Sequence, residues 1–416
     1  MVLTATDAFK AWGDYDRDDP YALFAEARGL GPVQPVRLAD GHAAWLVLGY
    51  DEARAALNDP RLSKDMQAAL ATSADVVAEG LPGPAFSRHM LNVDPPDHTR
   101  LRRLVSAAFS HRRIDGLRPR IQSIVDDLLD GIAAEDAERR VDLIAAFAFP
   151  LPFTVICELL GVADKDRAGL GAALRTLLAP APSAEAHERA VAASDAVVGY
   201  LRALVETKQG TPADDLVTGL IAARDGDHRL SQQELLSTIL QLIIAGHDTT
   251  TSLIGNATVA LLRNPDQLAA VGADPSLLPA AIEELLRYDA PVPHSTFRYA
   301  RAPVELGGVT IPAGAQVIVC LASANRDARH FSEPDVLDVD RPDVRHLGFG
   351  HGIHFCLGAG LARTEGQFAL ASLVRRFPQL RLAVPIEDLH WGHGDGLVLR
   401  GLSELPVIPG PSLPRT

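Results

Sequence analysis

The chain has 416 residues, 47% hydrophobic and 22% charged, with 39 Lys and Arg against 53 Asp and Glu for a formal net charge of −14 at pH 7. That charge disfavours nucleic acid as a partner, and three cysteines in so long a chain exclude a disulfide framework and point to a reducing compartment. The first residues hold neither a basic stretch before an apolar core nor about twenty apolar residues in a row, and no linker, charge block or repeat divides the rest, so we expect a cytoplasmic chain without a membrane anchor, folded as one domain over 1–416.

In chain order, residues 20–29 read as a helix, then 33–38 and 43–48 as strands joined at the Asp40-Gly41 turn. Helical spacing returns at 51–57. Residues 61–96 hold scattered apolar residues, glycines and prolines, which predicts a long loop with one short helix; loops of that length in compact domains are usually functional or disordered. Asp94-Pro95-Pro96-Asp97 opens the next helix, where i, i+4 spacing sets His98 and Arg102 on one face, two donors able to grip an anion. A solvated basic face is the alternative. Arg100, Arg102, Arg103, Arg112, Arg113, Arg118 and Arg120 crowd this stretch, a positive patch that suits an acidic partner. Helices are expected at 121–132, 151–160 and 187–208, with 177–186 as a mobile connection.

Ser231 and Glu234 form a capping box for the longest helix, which can run to Asn264 before Pro265 interferes. It is apolar nearly all round over 235–245, as a central buried helix should be. Gly246-His247-Asp248-Thr249-Thr250-Thr251 then breaks the run with poor helix formers. Such a conflict inside a buried helix marks function, although a threonine bonding back to a preceding carbonyl would bend the helix with no other role. A helix over 274–288 sets Glu284 and Arg287 on one face as an ion pair. Strands follow at 304–306 and 309–311 about Gly307-Gly308, at 316–322, and as a pair near 397–399 and 405–408, after a turn at Gly394-Asp395-Gly396.

The most specific stretch is Phe349-Gly350-His351-Gly352-Ile353-His354-Phe355-Cys356-Leu357-Gly358. A helical run follows it until Pro378. A cysteine just before a helix faces the free N–H groups, which favour thiolate over thiol. Glycines at 350, 352, 358 and 360 let the loop fold tightly, with something flat lying close. Cys157 and Cys320, inside apolar runs, read as small buried hydrophobes. His351, His354 and Cys356 lack the paired spacing and fourth ligand of a zinc site, and no Cys-x-x-Cys-His for covalent haem occurs. The decapeptide resembles the cysteine-ligand loop of the cytochrome P-450 superfamily, Phe-Gly-x-Gly-x-His/Arg-x-Cys-x-Gly, with every fixed position filled. Residues 245–249 resemble its oxygen-activation motif, Ala/Gly-Gly-x-Asp/Glu-Thr, and Glu284-x-x-Arg287 and Asp340-Arg341-Pro342 follow in the family's order. The similarity is greatest to soluble actinobacterial members that oxidise macrolides, other polyketides and sterol-like compounds, which more often carry Glu where this chain has Asp248.

The resemblance implies a mainly α fold, a large helical domain with a smaller β-rich part near 30–60, 290–325 and 390–410, and haem b (iron protoporphyrin IX) between the long helix and the cysteine loop. It makes Cys356 the axial iron ligand and His98, Arg102 and Arg298 the holders of the propionates. Ala245, Gly246, Phe349, Gly350, His354 and Gly358 are the other cofactor contacts. Gly246 opens a groove for dioxygen, Thr249 hydrogen-bonds the activated oxygen, and Asp248 relays protons. Glu284, Arg287 and Arg341 are a structural network beneath the haem, and 177–186 is the lid of the substrate entrance. Candidate substrate contacts are Met90 and Leu91 in the 81–92 loop, Ile243, Ile244, His247, Val292, His294 and Leu397. The implied reaction inserts one atom of dioxygen into a lipophilic molecule, by hydroxylation or epoxidation of a macrolide or polyketide, with a steroid, vitamin D-like or terpenoid substrate as the alternative. Electrons come from NAD(P)H through ferredoxin reductase and ferredoxin, to a monomer. A peroxide-driven haem enzyme and a non-catalytic haem binder stay open as other classes.

Overall fold

A computed structural model describes residues 12–72, 88–109, 111–179, 183–224, 228–392 and 397–415. The chain forms two compact units that alternate along the sequence: residues 1–79, 125–148 and 249–416 make the first, and 80–124 and 149–248 the second. Among the described residues no single helix is long and apolar enough to cross a membrane.

The named strands all belong to the first unit. They are β1 Val33–Arg37, β2 Ala43–Val47, β3 Leu62–Ser63, β4 Val141–Asp142, β5 Arg298–Ala300, β6 Val304–Leu306, β7 Val309–Ile311, β8 Gln316–Val319, β9 Arg381–Leu382 and β10 Pro406–Ile408. The main sheet has the order β1-β2-β8-β5-β3. β1 and β2 pair antiparallel with Val33 opposite Val47, whereas β2 and β8 run parallel. β6 and β7 form a hairpin about Gly307-Gly308, both with left-handed φ, as a two-residue hairpin turn requires. Apolar side chains of β1, β2 and β8, with Tyr50, Ala53 and Leu57 of the helix Tyr50–Asn58, bury one cluster against this sheet. The strand expected over 316–322 stops at Val319, and Leu321–Ala324 turns helical. The pair expected at 397–399 and 405–408 does not form: β10 instead lies between β4 and β9.

The second unit is helical, with Asp97–Ala108, Pro150–Leu160, Asp164–Leu178, Ala184–Gly210 and Leu216–Ala222. Two further helices, His111–Ala133 and Gln232–Arg263, continue through the boundary between the units. Asp164–Leu178 and Leu216–Ala222 are helices where none is expected from the apolar spacing. The first buries only Leu170, Gly171, Leu174 and Leu177, a stripe one residue wide that two glycines and a charged first turn conceal. The second is seven residues capped by Asp215, whose carboxylate accepts from Thr218 N at 2.8 Å. Residues 177–186, expected as a lid loop, hold the end of one helix and the start of the next; 180–182 lie outside the described residues.

The long helix starts as its capping box predicts. Ser231 N donates to Glu234 Oε2 at 2.9 Å, and Glu234 N donates to Ser231 Oγ at 3.2 Å. From Glu234 to Leu261 it is buried except at Gln241, Ile244, Ala245, Gly246 and Thr249. These recur at three and four residues, so the helix leaves one strip open and buries the rest.

Candidate functional site

In the first unit the cysteine loop is closed by backbone hydrogen bonds. Gly350 N donates to Leu347 O at 2.8 Å, and Cys356 N reaches back to Phe349 O at 2.9 Å. Gly350 and Gly352 both have left-handed φ, near +72° and +74°, a conformation that side chains resist. His354 is half-buried in the turn Gly352–His354, and Gly358 caps the helix Ala359–Arg376. Cys356 is exposed there, whereas Cys157 and Cys320 are buried and burial pushes both their thiols up to about 12. A second tier fixes the loop from behind. Arg363 sits over the Phe349 ring at 4.5 Å and grips Glu283 through Nε and NH2 at 2.6 and 2.8 Å. His346 meets the same carboxylate at 3.2 Å. Burial opposes ionisation of Glu283, yet these two partners hold it down to about 2.

Glu284, the next residue, joins Arg287 and Arg341 in one network. Arg287 donates Nε to Glu284 Oε2 at 2.6 Å and NH2 to Oε1 at 2.8 Å. Arg341 Nε lies 3.1 Å from each oxygen. The remaining donors of Arg287 go to carbonyls of Asn325, Pro334 and Val336. Asn325 in turn accepts from Leu347 N at 2.7 Å through its side chain, so the network is one residue removed from the cysteine loop.

On the long helix the polar stretch is arranged unevenly. Ala245, Gly246 and Thr249 lie on the open strip, and Asp248 and Thr250 are buried. Gly246 has a packing reason of its own, because a Cβ there would come within 3.2 Å of Ile156 on the helix Pro150–Leu160. Its expected role as a dioxygen groove therefore stands beside a close helix approach. His98 and Arg102 project one turn apart from Asp97–Ala108, and burial, then Arg102, lowers the His98 pKa below its usual value. Arg100 points elsewhere, pairing with Glu234 at 2.5 Å. Arg113 pairs with Asp214 and Arg120 with Glu158. These three ion pairs make the positive patch smaller than the arginine count predicts; the Arg112 side chain lies outside the described residues.

Arg298 opens β5, buried, with NH1 3.4 Å from Leu62 O. Met90 and Leu91 are half-buried, but 81–87 and Gly394-Asp395-Gly396 lie outside the described residues. Ile243 is fully buried and Ile244 partly so. Val292 packs on the sheet cluster. His294, expected to face substrate, is fully buried beside Trp12, Tyr15 and Phe24. Its Nε2 accepts from Trp12 Nε1 at 3.2 Å and its Nδ1 meets Leu397 O at 3.0 Å, so both nitrogens are engaged within the chain. Burial drops its pKa to about 4. The Leu397 side chain crowds Gly13 in the same cluster.

One buried acid escaped the sequence reading. Glu365 sits on the helix Ala359–Arg376 at 1% exposure, and neither carboxyl oxygen has a partner at hydrogen-bond distance within the described residues. Burial pushes it up to about 8, and the Thr250 hydroxyl pulls the other way. The available signal was a charge four residues after Leu361 and four before Ala369, on a face that is otherwise buried. A carboxyl whose folded pKa is raised binds its proton more tightly in the native state, so its stabilising share is complete below its ordinary 4.5 and is lost as pH rises through about 8. Glu365→Gln is therefore expected to gain on the parent chain across that window, by about 3 kcal/mol near neutral pH. Urea midpoints of both proteins at a series of pH values check this; parallel curves would contradict it.

A cytochrome P-450 family profile matches residues 40–383. The chain is 46% identical over 395 residues to 6-deoxyerythronolide B hydroxylase of Saccharopolyspora erythraea, covering 94% of this chain and 96% of that protein. It is 42% identical over 412 residues to vitamin D(3) 25-hydroxylase of Pseudonocardia autotrophica, covering 99% of each. Among solved structures it is similar to the tirandamycin C-bound P-450 monooxygenase TamI, at 45% identity and a TM-score of 0.83 over 94% of this chain and 97% of that one.

Proposed function

This chain belongs to the cytochrome P-450 family and is an oxidoreductase that incorporates oxygen, and from that premise we propose that it hydroxylates or epoxidises a macrolide or related polyketide, drawing electrons from NAD(P)H through ferredoxin reductase and ferredoxin. The observation that carries the reading is Cys356, the exposed thiol of three, in a closed loop at the mouth of a helix. Its donor type and the small residues around it fit haem b; by the family resemblance Arg298 and Arg102 would offer guanidinium donors, and His98, whose pKa burial lowers, a neutral ring N–H to the propionates. Bound there, the haem supplies oxygen activation and the electron path.

The rest falls to side chains. Cys356 would hold the group as a thiolate, a strongly electron-donating ligand for haem iron. Thr249, on the open strip of the long helix, offers a hydroxyl that can pass a hydrogen bond forward. Asp248, buried one residue earlier, keeps a proton-exchanging group out of bulk water. The local excess of arginine over 100–120 on an otherwise acidic chain suits an acidic ferredoxin. The substrate class is supported by one relative named for 6-deoxyerythronolide B and by tirandamycin C bound in another. The vitamin D(3) hydroxylase supports a steroid-like guest as the second choice.

The reduced protein mixed with carbon monoxide should give the strongly red-shifted Soret band of cysteinate ligation. Turnover is expected with ferredoxin and its reductase and not with peroxide alone. Thr249→Ala should keep NAD(P)H consumption while product per NAD(P)H falls about tenfold or more and peroxide rises, since a positioned proton donor contributes on the order of a hundredfold. Unchanged coupling in Thr249→Ala, or full turnover on peroxide, would remove the proton-delivery reading. A screen of macrolides, other polyketides and secosteroids for displacement of the sixth-ligand water selects among substrates.

A further inference from the structure

We propose that His247 and Asp248 hold one shared proton and act as a unit, with His247 the positioning partner that orients the carboxyl and recharges it. The inference rests on the reading of Asp248 and Thr249 as the proton-delivering pair and adds a residue to it. His247 is 2% exposed and Asp248 4%. The imidazole Nδ1 lies 2.6 Å from Ile243 O, one turn back on the same helix, and Nε2 lies 3.0 Å from Asp248 Oδ1. The ring stands edge-on to Phe149 at 5.6 Å and Phe153 at 5.3 Å, and these two stack on each other. Arg175 lies over the Phe149 ring, 5.6 Å from its centroid.

A neutral imidazole carries one N–H. A carbonyl oxygen only accepts, so the Ile243 contact takes that proton at Nδ1. Nε2 is then a bare lone pair, and a carboxylate oxygen at 3.0 Å would face it with another. With the proton on Nε2 the clash moves to the shorter contact with Ile243. Both contacts are attractive together only when the pair holds a second proton, as imidazolium with carboxylate or imidazole with carboxylic acid. Burial favours keeping that proton shared instead of separating two charges.

The consequence is a loaded donor one residue before Thr249. When the carboxyl O–H bond breaks and its proton passes to an acceptor on the Thr249 side, the pair is left as neutral imidazole and carboxylate. Solvent must return one proton before the next delivery, and Nε2 is the base that receives it beside Asp248. The aromatic bracket restricts the ring, so the carboxyl is held by a partner that cannot swing away. This role stands beside the substrate contact expected of His247.

The test uses the haem-loaded enzyme. In 15N-histidine NMR of the diamagnetic ferrous carbon monoxide complex, the His247 signals, assigned by their loss in His247→Phe, should show both nitrogens protonated or sharing a proton. The carboxyl infrared bands that Asp248→Asn removes should shift in His247→Phe, whose ring fits among Phe149 and Phe153. With ferredoxin and its reductase and no added substrate, peroxide released per NADPH should rise severalfold in His247→Phe. His247→Gln, which offers an N–H to Asp248 but cannot recharge it, should rise equally; it also carries the test if the Phe variant fails to fold. A pyridine-like bare Nε2 overturns the proposal. So does unchanged peroxide release in both His247 variants while Asp248→Asn raises it, an outcome that leaves the Asp248 reading intact. If Asp248→Asn changes nothing either, the underlying reading fails with it.

Discussion

Cys356→Ser is expected to fold yet to lose both the red-shifted Soret band of its reduced carbon monoxide complex and all monooxygenase turnover. The loop that presents residue 356 is closed by backbone hydrogen bonds and backed by the Phe349, Arg363 and Glu283 stack, and serine has the same backbone and nearly the same size as cysteine. An oxygen in place of sulfur therefore leaves the frame standing. It removes the soft, readily ionised donor that haem iron takes from cysteine, and a serine hydroxyl stays protonated where a thiol ionises. Neither other cysteine can substitute: Cys157 and Cys320 are buried, with thiols pushed up to about 12. Cys157→Ala and Cys320→Ala should accordingly keep the wild-type spectrum. The measurement is a carbon monoxide difference spectrum beside a circular-dichroism melt. A native melt with an unchanged spectrum in Cys356→Ser would place the iron ligand elsewhere.

The parts of this fold and site that were legible in the sequence are those where one element sets its own geometry. Ser231 and Glu234 cap the long helix because both hydrogen bonds close within four residues. The β1-β2 turn and the Gly307-Gly308 hairpin are equally local. Glu284 and Arg287 meet because i, i+3 spacing forces it, whereas Arg341, 57 residues beyond Glu284, entered only through resemblance. The less legible features depend on a neighbour. His247 reads as a polar residue facing a guest until Ile243 O and the two phenylalanines are in place around it. His294 reads the same way until Trp12, 282 residues away, supplies its donor. Arg100, Arg113 and Arg120 looked like free charge because their acidic partners come from other helices. The helix Asp164–Leu178 was hidden because its buried stripe is narrow and its glycines depress helix propensity.

The charge arrangement around Glu284 predicts an order of mutational damage. Two guanidinium groups, from Arg287 and Arg341, share this single carboxylate, and Glu284 and Arg287 are fully buried. Glu284→Gln keeps the shape but leaves both cations facing a neutral amide in a dry interior, and an uncompensated buried charge costs about 3–5 kcal/mol. Arg287→Met removes a cation while Arg341 still neutralises Glu284, although it also leaves the carbonyls of Asn325, Pro334 and Val336 without their donors, at about 1–3 kcal/mol for each buried group left unsatisfied. Part of that cost relaxes, since Arg341 NH2 already serves Val336 O at 2.9 Å. Glu284→Gln is thus expected to be the more damaging, lowering the urea midpoint further than Arg287→Met. The same change should loosen the haem. Asn325 takes a donor from Arg287 on its backbone and gives its side-chain oxygen to Leu347 N, and Leu347 O in turn anchors Gly350 of the cysteine loop. A shift of Arg287 therefore reaches the loop through three consecutive hydrogen bonds. Faster haem transfer from Glu284→Gln to an apo-haem acceptor is the accompanying expectation. Retention equal to wild type in a measurably destabilised variant would show that the network supports the fold without steadying the loop.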